Sequence, residues 1–187
     1  YLVTRNIMYR SIYNHRLNEV ANWLLERIFK TVIELGPSKV WADKNMSKWL
    51  WKKEEIDIET FLANDDIVTH YHLSRWKDEG LNIVSDLCAK YINRNLFKAI
   101  DIENLNNESK LKALAIARNL SKKNGLDPDN SCGIRQQKLH GYHPYKGGLR
   151  IWDGQKLQAL EQVSSLVNSL ISPAESTWLI YNKEIQI

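Results

Sequence analysis

Cysteine is scarce in this sequence, with two in 187 residues, Cys88 and Cys132. They make no CxxC pair and no metal-finger spacing, which excludes a disulfide framework and a zinc finger and leaves two reduced thiols. No apolar run reaches the roughly 18 residues a membrane-spanning helix needs. The opening residues show no signal-peptide pattern. The sequence also lacks a P-loop, a GxGxxG turn, a GxSxG elbow and any His-Asp dipeptide. Nothing in it supplies a nucleophile with a positioned base. There is no internal repeat and no low-complexity tract. Lys and Arg never cluster into a run, although the net charge is +4 and the pI about 9.0.

What is present describes a globular chain. Forty-three per cent of the residues are apolar and 26% charged, which is not a disordered composition. The length allows one or two domains with a real core. The mild basicity admits a polyanionic ligand. Seven tryptophans and eight tyrosines offer stacking surfaces, most of which serve as core. The first residue is Tyr1, and the amphipathic pattern is already running at Leu2 and Val3. On that ground the chain reads as a piece of a longer protein.

The periodicity predicts a long helix over 2–35, with Leu17, Val20, Leu24, Ile28 and Val32 at three- and four-residue steps. Gly36-Pro37 stops it. Residues 38–55 are rich in Trp and Lys and mix helix with loop. Short helices are expected over 56–63, 64–80 and 81–94. LFKAIDI (96–102) reads as a strand. A further helix covers 108–124, and Asn124-Gly125 ends it. CGIRQQK, GLRIWDG and WLIYNKEI then read as short strands, with a small helix at 164–170 between the last two. The expected fold is mainly α, with a helical region over 1–102 followed by a small α+β region over 103–187.

Several residues could carry chemistry. On a helix, Arg5, Tyr9 and Tyr13 form one stripe that can hold a phosphate, a sugar edge or a base, or simply be a polar face. His70 and His72 are two apart and point to different faces, so they read as exposed or packing residues rather than ligands. Asp65-Asp66 opens a helix and reads as a cap. His140 and His143 sit in the loop HGYHPYKGG without an evident third metal ligand. Arg94 and Lys98, in NRNLFK, join a helix to a strand. Such cations bind phosphate through charge-assisted bonds worth roughly 1.5–3 kcal/mol, or form surface ion pairs worth about 0–1 kcal/mol.

TRNIMYRSIYNHR (4–16) resembles the segment just past the metal site of HD-domain deoxynucleoside triphosphate triphosphohydrolases. NRNLFKAIDI (93–102) resembles their regulatory-nucleotide segment. The tail, YHPYKGG through LRIWDG, VSSLVNSL and WLIYNKE, is similar to the C-terminal region of bacterial members. The likeness covers nearly the whole chain, and its two motifs are specific in combination.

This resemblance implies a mainly helical fold and cleavage of a dNTP into deoxynucleoside and tripolyphosphate. It implies a divalent metal (Mg, Mn, Fe or Zn) held by an H…HD…D set upstream of this chain, so that the chain alone is inactive. It further implies a cytoplasmic homo-oligomer switched by a nucleotide such as dGTP or GTP. Arg5 matches a substrate-phosphate position, and Tyr13 matches a tyrosine beside the deoxyribose. Tyr9 stands where a relative has an active-site histidine, and Asn14 replaces a glutamine that touches sugar or base. His15 and Arg16 match a His-Lys pair near the regulatory nucleotide and the subunit contacts. Arg94 and Lys98 match that site's arginine and lysine. Two rival readings remain at this point: an HD phosphohydrolase of another phosphoester, and a non-catalytic helical module for nucleic-acid binding or assembly.

Overall fold

A computed structural model describes residues 1–139, 149–171 and 174–186. The helical stretch expected over 2–35 is two helices with a joint between them. α1 (Leu2–Met8) runs into a π-helical turn, Tyr9–Tyr13, and α2 (Arg16–Leu35) starts afresh. The Asn14 N–H donates to the Tyr9 carbonyl at 2.9 Å, the five-residue closure of a π turn. The Asn14 side-chain amide donates to the same oxygen at 2.8 Å. His15 is extended and caps α2, its Nδ1 accepting from the Leu17 N–H at 3.3 Å. No side chain of α1 is buried.

α2 is the spine of the helical core. Val20, Trp23, Leu24, Ile28 and Val32 recur along one face and are all buried. α3 (Lys44–Trp51), a 3-10 turn (Lys53–Glu55), α4 (Ile58–Ala63), α5 (Asp66–Asp78) and α6 (Ile83–Ile92) follow. α3, α4 and α5 each open on an aspartate. The carboxylates of Asp43, Asp57 and Asp65 accept from the N–H groups of Met46, Thr60 and Val68 at 2.8, 2.7 and 2.8 Å. These caps satisfy donors that the first helical turn leaves unpaired. α5 packs on α6 and α6 on α2, joining Leu73, Trp76, Val84, Leu87 and Cys88 to the core.

The main sheet is antiparallel, ordered β1 (Lys98–Asp101), β5 (Ala174–Tyr181), β2 (Cys132–Leu139). Lys98 and Cys132 flank Tyr181 from opposite sides, so the sheet straddles residue 102. α7 (Asn107–Lys123) packs on it, and α8 (Pro128–Ser131) leads into β2. Ile102, Ala117, Cys132, Leu179 and Ile185 form a second core there. β3 (Arg150–Trp152) and β4 (Leu157–Ala159) make a separate hairpin, followed by α9 (Leu160–Val163) and α10 (Ser165–Ser169). The last strand ends at Tyr181, earlier than WLIYNKEI suggested. The Asn182–Ile185 stretch turns instead, with the Ile185 N–H on the Asn182 carbonyl at 3.0 Å. The fold is mainly α with a small α+β part, as the sequence indicated.

Two contacts fasten β2 to α2. A Cβ on Gly133 would stand 2.8 Å from Trp23 Nε1, so only glycine lets the indole lie against the strand. Next to it, Arg135 donates through Nε to the buried carboxylate of Glu19, and through Nη1 to Glu26 at 2.6 Å. Burial opposes the charge on Arg135, but the bonds to Glu26 and Glu19 outweigh it and raise the guanidinium's pKa. Glu19 is 1% exposed, so losing the arginine strands a buried carboxylate. Arg135→Met should lower unfolding free energy by about 3 kcal/mol in urea titrations, and adding Glu19→Met should restore much of it. Equal stability of Arg135→Met and the parent would show the pair to be idle.

Candidate functional site

The end of α6 sets the first cation of the site. Arg94 has φ +54 and its N–H donates to the Tyr91 carbonyl at 3.2 Å. Glycine is the usual residue at such a helix end. A β-carbon in the left-handed region costs about 1–2 kcal/mol, so local stability does not call for arginine here. Three residues on, Phe97 is buried with its ring 5.6 Å from that of Trp23. Strand alternation then turns Lys98 outward and Ala99 inward. Lys98 pairs with Tyr181. Lys183, just beyond that strand, donates to Asn95 Oδ1 at 3.0 Å. Arg16 is the first residue of α2.

These segments meet at a cleft of about 950 Å³ lined by Arg16, Arg94, Lys98, Lys183, His70 and Tyr91 together with apolar side chains. Among the described residues no carboxylate lines it. Among the described residues no ion pair neutralises its four cations. The positive end of the α2 dipole adds to the same sign. Uncompensated positive charge around a concave, partly apolar wall attracts anions with a flat hydrophobic part.

Of the sequence-nominated residues, Arg16, Arg94 and Lys98 come together here. The stripe on α1 forms as well. The Arg5 guanidinium lies 5.3 Å from the Tyr9 ring centre, and the Tyr9 and Tyr13 rings are 5.0 Å apart. Tyr13 is 53% exposed. Asn14 and His15 use their side chains on the joint, and neither they nor Arg5, Tyr9 and Tyr13 line the cleft. His70 and Lys183 were not nominated for it. They reach it from α5 and from the turn after β5, and no sequence signal ties those segments to α6.

The neighbouring His72 is core. It is fully buried, its Nδ1 2.8 Å from the Val68 carbonyl and its Nε2 accepting from the Asp43 N–H at 3.2 Å. The His140 and His143 loop lies outside the described residues. Among the described residues no group of three or more His, Cys, Asp or Glu side chains could hold a metal ion. Burial pushes the Cys88 thiol up to about 12 and raises that of Cys132, so neither is a thiolate near neutrality. No described helix is long and apolar enough to cross a membrane.

Known proteins bear on this geometry. A solved phosphohydrolase from Bacteroides thetaiotaomicron superposes with a TM-score of 0.75 at 18% identity, over 97% of this chain. The two share a fold. A hypothetical protein of known structure from Aquifex aeolicus matches less closely, with a TM-score of 0.53 at 16% identity over 98% of the chain. The uncharacterised protein YwfO of Bacillus subtilis is 24% identical over 191 residues. The chain spans 49%, 41% and 43% of these three proteins respectively. No protein-family model matches it.

The cleft should bind inorganic tripolyphosphate. Titration should move the amide resonances of Lys98 and Ala99 and leave those of Tyr9 and Tyr13 in place. Raising salt from about 50 to 200 mM should weaken the shift severalfold. Shifts centred on the α1 stripe would move the anion site there.

Proposed function

We propose that this chain is the nucleotide-handling part of an HD-type phosphohydrolase, acting in the intact protein on a dNTP to give deoxynucleoside and tripolyphosphate. One observation carries the reading: Arg16, Arg94 and Lys98, from three separate segments, converge on one cleft that no described carboxylate lines. A triphosphate bound there meets cations from α2, α6 and β1, while Tyr91 and the apolar wall offer a surface to base and sugar. Arg16, Arg94, Lys98 and the neighbouring His15 form the regulatory side, where a dGTP or GTP activator binds. Arg5, Tyr9, Tyr13 and Asn14 form the substrate side, Arg5 offsetting phosphate charge and Tyr13 crowding the position of a 2′-hydroxyl. The fold shared with a phosphohydrolase supports the reaction class.

The divalent metal of such a reaction supplies Lewis acidity and an activated water. The described side chains of this chain form no set fit to ligate it. In the proposal, binding and orientation of the phosphates are this chain's share, and the metal is bound upstream of it. Assembly into a cytoplasmic homo-oligomer belongs to the same reading. Ile58, Leu62 and Ile67, each more than 70% exposed, give α4 and α5 apolar surface for subunit contact.

The product of the complete gene, given dNTPs with Mg²⁺ or Mn²⁺, should release tripolyphosphate, and this chain alone should not. Arg5→Ala in the complete protein should lower turnover by about a hundredfold. Arg94→Ala should mainly lower nucleotide-driven assembly and activation. An unchanged oligomer and activation curve in Arg94→Ala would remove the regulatory assignment. Release of another phosphoester's product, with dNTPs inert, would keep the reaction class and change the substrate. Salt-dependent binding of RNA or DNA without any hydrolysis would favour the nucleic-acid module.

A further inference from the structure

The hairpin of β3 and β4 leaves one edge bare. Its register sets Arg150 opposite Ala159, Ile151 opposite Gln158 and Trp152 opposite Leu157. At its two ends the Asp153 N–H donates to the Lys156 carbonyl at 3.2 Å, and the Leu160 N–H to the Leu149 carbonyl at 2.8 Å. Hydrogen-bonded pairs alternate along an antiparallel ladder, so Ile151 turns its backbone groups toward β4. Arg150 and Trp152 turn theirs away. Among the described residues no strand lies along that outer edge. The hairpin is also poorly covered, with Ile151, Trp152 and Leu157 at 41%, 61% and 58% exposure. A two-stranded hairpin is marginal in water, and further strands with an apolar face are what stabilise it. Unpaired edges recruit such strands.

This edge is complementary to itself. When two copies of β3 run antiparallel about a two-fold axis, only Arg150 and Trp152 can exchange backbone bonds, because only they face outward. An axis through Arg150 sets two guanidinium groups opposite one another, and they repel. An axis through Trp152 carries Arg150 past the strand onto Gly154, in the turn at φ +100. An axis through Ile151 sets each Arg150 opposite the other copy's Trp152, cation beside ring. It also brings the two Ile151 side chains together on the opposite face. We propose that this protein pairs with a second copy of itself through β3, in the register centred on Ile151, joining the two hairpins into one continuous sheet. The contact uses neither α4 nor α5 and needs no nucleotide, so it can fail while the phosphohydrolase reading stands.

Opposed residues that exchange no backbone bonds have Cα atoms about 4.5 Å apart, a spacing a disulfide can bridge. Cys88 and Cys132 are buried, so a new surface thiol reports alone. Ile151→Cys in this chain should oxidise to a covalent dimer about tenfold faster than Leu157→Cys, whose thiols the joined sheet holds apart on its outer strands. Adding Trp152→Pro removes one outward N–H from an edge that tolerates proline, and should abolish the gain. Equal rates for the two thiols, or a gain that proline leaves intact, would overturn the proposal. The parent chain gives a second reading by amide hydrogen exchange. Raising its concentration about a hundredfold should slow exchange at Arg150 and Trp152 and leave Ile151, already bonded across to Gln158, unchanged. Exchange at Arg150 and Trp152 that ignores concentration would rule out a second copy: fast throughout means a bare edge, and slow throughout means another segment holds it.

Discussion

The buried carboxylate of Glu19 can exist only because Arg135 reaches it across the gap between α2 and β2. An isolated carboxylate in that position would be prohibitively costly. The arginine is therefore committed to one place, and its strand with it. Glu26 holds the guanidinium's other side. Through β2 the constraint passes to β5, and through β5 to β1, since the three share one antiparallel sheet. Lys98 and Lys183 thus take up their positions relative to Arg16 because a salt bridge elsewhere on α2 has fixed the sheet against that helix. Trp23, lying on Gly133, fills the space between the same two elements.

The cationic cleft is accordingly a product of long-range packing as much as of local sequence. Its cations come from the first turn of α2, the end of α6, the start of β1 and the turn beyond β5. Arg94 is the exception in one respect, because its own backbone is strained toward glycine-like geometry while its side chain serves the cleft. Residues in such conformations tend to gather where function outweighs local ease. The cavity between α2 and α3 has a mostly apolar wall instead, built from Phe29, Ile33, Met46, Trp49 and Leu50.

The longer helices were legible because they announce themselves locally, whereas the single turns α8 and α9 were not. The three- and four-residue steps of α2 are plain, and Asp65 starts a helix by a bond made within its own first turn. The joint at Tyr9–Tyr13 was not legible. A π turn differs from an α turn by one hydrogen-bond step, and the run YRSIY carries no glycine or proline to mark it. Strand partners were hidden for another reason, since β1 pairs with β5 across most of the C-terminal region. Arg94 and Lys98 stood out through their motif, and Arg16 through the segment before it. His70 and Lys183 had no motif, and only the folded chain brings them near.

The π turn has a mechanical consequence. From Tyr1 to Asn14 the chain extends about 20 Å at helical rise, with no side chain of α1 buried along the way. Its direction is set at one end, by the Asn14 bonds to Tyr9 and by the Asn18 amide on the Ile12 carbonyl at 2.7 Å. It is a lever with a short fulcrum. A ten-degree change at the fulcrum would carry the far end through about 3–4 Å, about the width of an atom contact. Arg16 begins the helix on the other side of that fulcrum, so a load on the cleft and a tilt of the lever are neighbouring events along the chain.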